Sequence, residues 1–153
     1  MTYSKKCVNL IKEFEGIYLK SYLCPAGRAT IGYGSTWWPD NKPVELGQSV
    51  TLQKAEDLLK FELDRIVSRL PVSVIYTQGQ LDAVVSFIYN VGMANYINST
   101  LYKKIKGNTN DPTIPAEFRK WTKARSSGKL IVLKGLVRRR EAEIKLYLHN
   151  DQD

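Results

Sequence analysis

The chain has 153 residues, 43% of them hydrophobic, and a formal charge of +8 from 23 Lys and Arg against 15 Asp and Glu. That length and apolar share suit one domain able to bury a core, and the charge favours polyanions such as nucleic acid, acidic lipid head groups or carboxylate-bearing wall polymers. No apolar run approaches the roughly 18 to 20 residues that cross a bilayer, and "MTYSKKCVNLIKEFEG" turns polar before a signal-peptide core forms. The chain therefore reads as soluble, with no signal peptide and no stable membrane insertion. A single histidine, His149, and two cysteines outside any paired-cysteine motif, Cys7 and Cys24, argue against a metal site and a histidine-based triad.

In chain order, Val8, Leu10, Ile11 and Phe14 recur near helical spacing, and Gly16 stops the helix directly after Glu15. Two β-favouring runs, "IYLKSYL" and "RATIGYG", flank "CPAG", whose proline and glycine mark a hairpin turn. "STWWPDNKPVELGQSV" reads as loop, with one more short strand around Val44 to Leu46. From Thr51 onward the pattern is helical almost to the end. Thr51 caps a helix with Leu52, Ala55, Leu58, Leu59, Leu63, Ile66 and Leu70 on its stripe, ending before Pro71. Thr77 and Gln80 stand at capping-box spacing before a segment apolar on most sides, which closes at Gly92 and is read as central. Ser99 caps "TLYKKIKG", Pro115 opens "IPAEFRKWTKA", and "GLVRRREAEIKLYLHN" forms the last helix. The sum is an α+β chain: one domain over 1–153, with a small antiparallel β lobe at about 16–50. A larger helical lobe at about 51–150 takes in the N-terminal helix, and a cleft lies between the lobes.

A carboxylate at a helix end, set against Phe14 and Ile17, suits a general acid, because desolvation favours its protonated form. The plain alternative is a solvated end-of-helix Glu15.

Here the sequence resembles a family. "EGIYLKSYLCPAGRATIGYG" is similar to the active-site hairpin of the phage-type lysozymes, the endolysins of glycoside hydrolase family 24, whose pattern is Glu-Gly, then Asp, then Thr-Ile-Gly-x-Gly. The family's Asp follows its Glu by nine positions and its Thr by fifteen. In this chain those spacings fall on Cys24 and Thr30: the threonine matches, and the aspartate is replaced by cysteine. "QLDAVVSFIYNVG", "STLYKKIKGN", "EFRKWTKA" and "GLVRRREAE" extend the resemblance along nearly the whole chain. Ser35 stands where many members carry histidine, a departure expected to bear on stability more than on chemistry.

The resemblance implies a lysozyme-like fold and a muramidase acting on bacterial peptidoglycan. Glu15 is then the acid, and the position of Cys24 holds a water together with Thr30. Three readings of Cys24 stay open: functional replacement of the carboxylate, aided by a cation such as Arg28; a domain that binds glycan without cutting it; or a disulfide with Cys7. Arg139 is expected to reach Glu15 or its neighbourhood, unless Arg138, Arg139 and Arg140 form a solvated face. Asn90 is expected to meet a sugar N-acetyl group, unless it only ends its helix. Trp37 and Trp38 offer a stacking platform or cover a core edge. The basic run "KLIVLKGLVRRR" suits phosphate contacts, but no nucleic-acid motif accompanies it, so no nucleic-acid partner is expected. The family analogy further implies no cofactor and no metal, a working monomer, and a stay in the host bacterial cytoplasm until a holin opens the way to the wall.

Overall fold

Helix α1 (Lys5–Glu15) starts and stops where the sequence punctuates it, in a computed structural model that describes residues 1–149, Ser126 by its backbone alone. Ser4 caps it, accepting the Lys6 N–H on its hydroxyl at 3.3 Å and the Cys7 N–H on its carbonyl at 3.1 Å. At the other end Gly16, with φ +67°, donates to the Lys12 carbonyl at 2.9 Å, a left-handed turn that a side chain would strain. The chain divides into two compact units, Ile11–Arg65 and Met1–Leu10 joined by the chain from Ile66 onward, so α1 contributes to both.

In the unit Ile11–Arg65, strands β1 (Tyr18–Leu23) and β2 (Ala29–Gly32) form the expected antiparallel hairpin. Tyr18 pairs with Gly32 and Tyr22 with Thr30, and the register shifts between these pairs. Its turn is closed by Cys24 N–H to Arg28 carbonyl and Gly27 N–H to Cys24 carbonyl, each 2.8 Å. Ile31, Val44 and Leu58 form a buried cluster with Ala29, Trp38 and Val50 packed on it. The strand expected at Val44 to Leu46 is not formed: the loop makes only single bridges, Ile31 with Ser35, Trp37 with Pro43 and Lys20 with Ser49. Pro43 brings no N–H with which to extend a ladder. Helix α2 (Leu52–Arg69) runs from this unit into the other and is capped by the Thr51 hydroxyl, which accepts the Lys54 N–H at 3.1 Å. Ala55, Leu58, Leu59 and Leu63 are buried as the stripe predicts, whereas Leu52, in the first turn, is 56% exposed, and Ile66 and Leu70 are half-buried.

In the second unit, α3 (Gln78–Val91) is the central helix, and its capping box is reciprocal. The Thr77 hydroxyl accepts the Gln80 N–H at 3.2 Å, while the Gln80 side chain accepts the Thr77 N–H at 3.0 Å. Every residue from Gly79 to Ile88 is buried. After Gly92 come α4 (Met93–Ile97), which the sequence pattern did not separate, α5 (Thr100–Gly107) and α6 (Ile114–Arg119). Phe87 meets Phe118 and Trp121 edge-on, each at 5.5 Å between ring centres. Full burial of such a ring stabilises by roughly 1.5–3 kcal/mol.

The stretch between α6 and the last helix corrects the helical expectation. Strands β3 (Lys123–Ser126) and β4 (Lys129–Val132) pair antiparallel across a two-residue turn, with Ser127 at φ +51° and Gly128 at φ +80°. Positive φ at both positions is the geometry that matches strand twist in a tight hairpin. Helix α7 (Lys134–Tyr147) follows; the sequence reading carried it to Asn150, which lies outside the described residues. Its end runs so close to α3 that a Cβ on Gly79 would stand 2.2 Å from the Leu146 carbonyl oxygen, which fixes glycine at that crossing. Among the described residues no helix is long and apolar enough to cross a membrane.

Candidate active site

Glu15 is the last residue of α1 and is half-buried. Its helix is pinned one turn earlier, where the Lys12 ammonium lies 2.6 Å from the Glu56 carboxylate, which also accepts the Tyr33 hydroxyl at 2.9 Å. The Lys12 hydrogen bond, with help from Tyr33, holds the Glu56 carboxyl below its ordinary range against the pull of burial. Of the two apolar neighbours expected to cover Glu15, Phe14 is half-buried and Ile17 is 41% exposed.

Cys24 follows β1 and opens the hairpin turn; Thr30 sits on β2 and is 4% exposed. The two side chains meet. Burial works to raise the Cys24 thiol, but hydrogen bonds from the Arg28 and Ala26 backbone N–H groups and from the Thr30 side chain outweigh it, leaving the thiol below its ordinary value. Arg28 thus acts through its backbone rather than through the charge expected from the sequence. Its guanidinium lies 5.8 Å from the centre of the Trp37 ring. The Thr30 hydroxyl donates to the Arg28 carbonyl at 3.0 Å, and it carries only one hydrogen. It can accept the S–H of the neutral thiol while doing so; donating to the thiolate requires it to turn from that carbonyl. Both cysteines are free, Cys7 buried and Cys24 half-buried, so the disulfide reading is not met.

Tyr22 is the residue that the sequence reading missed. It stands directly opposite Thr30 in the hairpin, and its ring lies 4.1 Å from that of Tyr18. Burial first, then Tyr18, Glu15 and Cys24, push its hydroxyl up, which puts the candidate acid and the thiol in the electrostatic neighbourhood of one side chain. The signal was available in period two: from Tyr22, alternate residues lead to Cys24 on the same strand face, and pairing leads to Thr30.

Trp37 is 45% exposed, as a platform requires, while Trp38 covers the core edge and donates from its indole to Gln48 at 3.0 Å. Ser35 is 1% exposed and donates to the Glu62 carboxylate at 3.2 Å, a packing position in keeping with a structural part.

In the second unit the three arginines separate. Arg138 is exposed, but Arg139 and Arg140 are buried, which corrects the reading of a solvated face. Successive helix residues point about 100° apart, so only part of such a run can face water. Arg139 and Arg140 approach the two oxygens of Glu143 at 3.4 and 3.1 Å, and the Ser86 hydroxyl donates to the same carboxylate at 2.6 Å. Arg139 also donates to the Ser86 carbonyl at 3.1 Å. Burial pushes Glu143 up, while the two guanidinium groups and Ser86 pull it down. Asn90, near the end of α3, accepts on its side-chain oxygen from Arg140, whose guanidinium also lies 5.0 Å from the Phe87 ring centre. That bond orients the amide and leaves its NH₂ as the group able to meet a ligand. Cys7, in contrast, is a buried thiol pushed strongly up by desolvation and then by the carboxylates of Asp82 and Glu143.

A hairpin bearing a polar side-chain pair beside a helix-terminal glutamate, with the rest of the chain mainly helical, defines a lysozyme-like α+β protein. The family model for phage lysozyme matches residues 12–143, and the chain belongs to that family. It is 40% identical over 150 residues to the endolysin of Acyrthosiphon pisum secondary endosymbiont phage 1, covering 96% of this chain and 98% of that one. Among solved structures it is similar to the endolysin from Escherichia coli O157:H7 phage FAHEc1, with a TM-score of 0.86 and 34% identity over 100% of this chain and 96% of that one. It is also similar to the muramidase domain of SpmX from Asticaccaulis excentricus, at a TM-score of 0.82 and 34% identity over 97% and 99% of the two chains.

Two measurements check this geometry. Iodoacetamide applied to the native protein should modify Cys24 with a pH midpoint below that of an ordinary cysteine and should spare Cys7, as peptide mapping will show; equal labelling of both would contradict their different environments. Glu143→Gln keeps the shape but leaves two buried guanidinium charges without their counter-ion, and urea unfolding should register a loss of about 3–5 kcal/mol.

Proposed function

We propose that this chain is a peptidoglycan hydrolase, a muramidase that cleaves the β-1,4 bond between N-acetylmuramic acid and N-acetylglucosamine during lysis of a bacterial host. The observation that supports the mechanism is the hairpin that sets Cys24 at its turn, closed by the Cys24 N–H on the Arg28 carbonyl at 2.8 Å, with Thr30 on the facing strand and donating to the same carbonyl at 3.0 Å. Glycoside hydrolysis needs an acid on the leaving oxygen and a second group that activates water or attacks the sugar. Glu15 gives its proton to the glycosidic oxygen. The Cys24 thiolate takes a proton from a water that the Thr30 hydroxyl orients, and that water's oxygen bonds the sugar carbon as the glycosidic bond breaks. Proton exchange with solvent then restores Glu15 and the thiolate.

The other residues act on binding. The Asn90 NH₂ meets an N-acetyl carbonyl, the exposed Trp37 ring beneath Arg28 receives a sugar face, and Arg139 holds α7 to α3 behind Asn90. The net charge of +8 retains the enzyme on an anionic wall. The working form is a monomer acting as one lysozyme-like domain, and its passage from the host cytoplasm to the wall depends on a holin.

Glu15→Gln tests the assignment, because the amide keeps the carboxyl shape and has no acidic proton. Release of muropeptides from purified walls should fall by about 100-fold or more in a protein that still folds, and Thr30→Ala should lose less. A folded Glu15→Gln protein that clears walls at the wild-type rate would remove Glu15 from the chemistry. A wild type that is retained by peptidoglycan without releasing muropeptides would be a binding module instead.

A further inference from the structure

Apart from its last two arginines, the segment "KLIVLKGLVRRR" takes no part in the function above, yet the structure gives it a distinct form. All four residues of β4 are exposed, Leu130 by 60% and Val132 by 57%. The register sets Lys123 opposite Val132 and Arg125 opposite Leu130, so one face of the hairpin carries two aliphatic side chains beside two cations. On the other face Ile131 is 40% exposed, and beyond the strand Leu133 and Val137 are 37% and 38% exposed. Lys129, Lys134 and Arg138 are exposed around it, and residues 118–140 contain no Asp or Glu.

A two-stranded hairpin with water on both faces is marginal by itself, and exposed aliphatic side chains gathered on it mark a surface meant to be covered. The rim narrows what covers it. Phosphates of nucleic acid would meet the cations but leave the aliphatic side chains in water, and a glycan strand brings no apolar layer to receive them. An anionic bilayer supplies both, phosphate at the surface and hydrocarbon a few ångströms below. We propose that the β3–β4 hairpin with the first turn of α7 is a docking surface for an anionic lipid membrane. Leu130 and Val132 enter the headgroup boundary beside Lys123 and Arg125 on the same face, and Arg138 of α7 adds a cation for the lipid phosphates. The contact is interfacial, and the chain does not cross the bilayer.

The test is co-sedimentation of the full chain with vesicles of phosphatidylglycerol and phosphatidylethanolamine, and with vesicles of phosphatidylcholine alone. The wild type should pellet with the first and not with the second. A Leu130→Ser, Val132→Ser double variant, which alters only exposed side chains and no charge, should weaken binding by about tenfold or more at an unchanged thermal midpoint. A Lys5→Glu, Lys6→Glu variant, which removes exposed charge elsewhere, should retain most of it. Absence of binding to anionic vesicles would overturn the proposal. So would equal binding by the wild type and the serine variant, or an equal loss in the Lys5 and Lys6 variant, since each means diffuse attraction of charge. A serine variant that loses DNA or purified peptidoglycan but not vesicles would name a different occupant. None of these readouts requires turnover, so they stand apart from the test of Glu15.

Discussion

The Glu143 carboxylate, completely removed from water, is the group on which the larger unit depends. A charge in that position is tolerated only with its partners in place, and the chain supplies Arg139 and Arg140 from the same helix and Ser86 from the facing one. The same atoms make α7 pack against α3 in one register. Glycine at position 79 allows the two backbones to approach at the far end of that contact. From this fixed pair the rest of the unit follows: Arg140 covers the Phe87 ring, Phe87 gathers Phe118 and Trp121, and the remaining donors of Arg140 orient Asn90. The net charge of +8 is thus spread unevenly in purpose, with two of its cations turned inward as structure and others left outside to attract polyanions.

The smaller unit places its charges differently. There the ionisable groups of the proposed chemistry are only half-buried. Burial works to raise the Cys24 thiol, and hydrogen bonds within its own hairpin, chiefly from the backbone amides of the turn, bring it below its ordinary value. The proposed mechanism rests on that environment, in which a thiol does the work of a carboxylate. A turn that presents N–H groups to an anion stabilises a thiolate as it stabilises a carboxylate. Lys12, Glu56 and Tyr33 brace the end of α1, which keeps the Glu15 backbone in place while its side chain stays accessible to solvent.

What could be read in the sequence was what depends on near neighbours. The capping box of Thr77 and Gln80, the Thr51 cap, the Gly16 stop and the first hairpin all rest on signals a few residues long, and all are present. The second hairpin was passed over because "LIVL" between lysines also fits a link between helices. The Ser-Gly pair that makes its turn gains meaning only once both flanking runs are taken as strands. The strand expected near Val44 failed for a complementary reason: Val44 is buried by packing against Ile31 and Leu58, which made its apolar character look like a ladder position. Glu15, Cys24 and Thr30 are proposed from the resemblance and its spacing, whereas the place of Tyr22 opposite Thr30 depends on the register of the hairpin. The fate of the three arginines required knowing which face of α7 meets α3.

The central claim is that a thiolate at Cys24 takes the place of a carboxylate, and the pH dependence of muropeptide release by the wild type, Cys24→Asp and Cys24→Ser tests it most directly. An unperturbed thiol ionises near about 8.5 and a carboxylate near about 4, so the account predicts that Cys24→Asp stays active with its rising limb moved to more acid pH. Cys24→Ser, of similar size but unable to ionise in this range, should lose most of the rate. Release by Cys24→Asp with none by the wild type, or equal release by all three proteins, would contradict it.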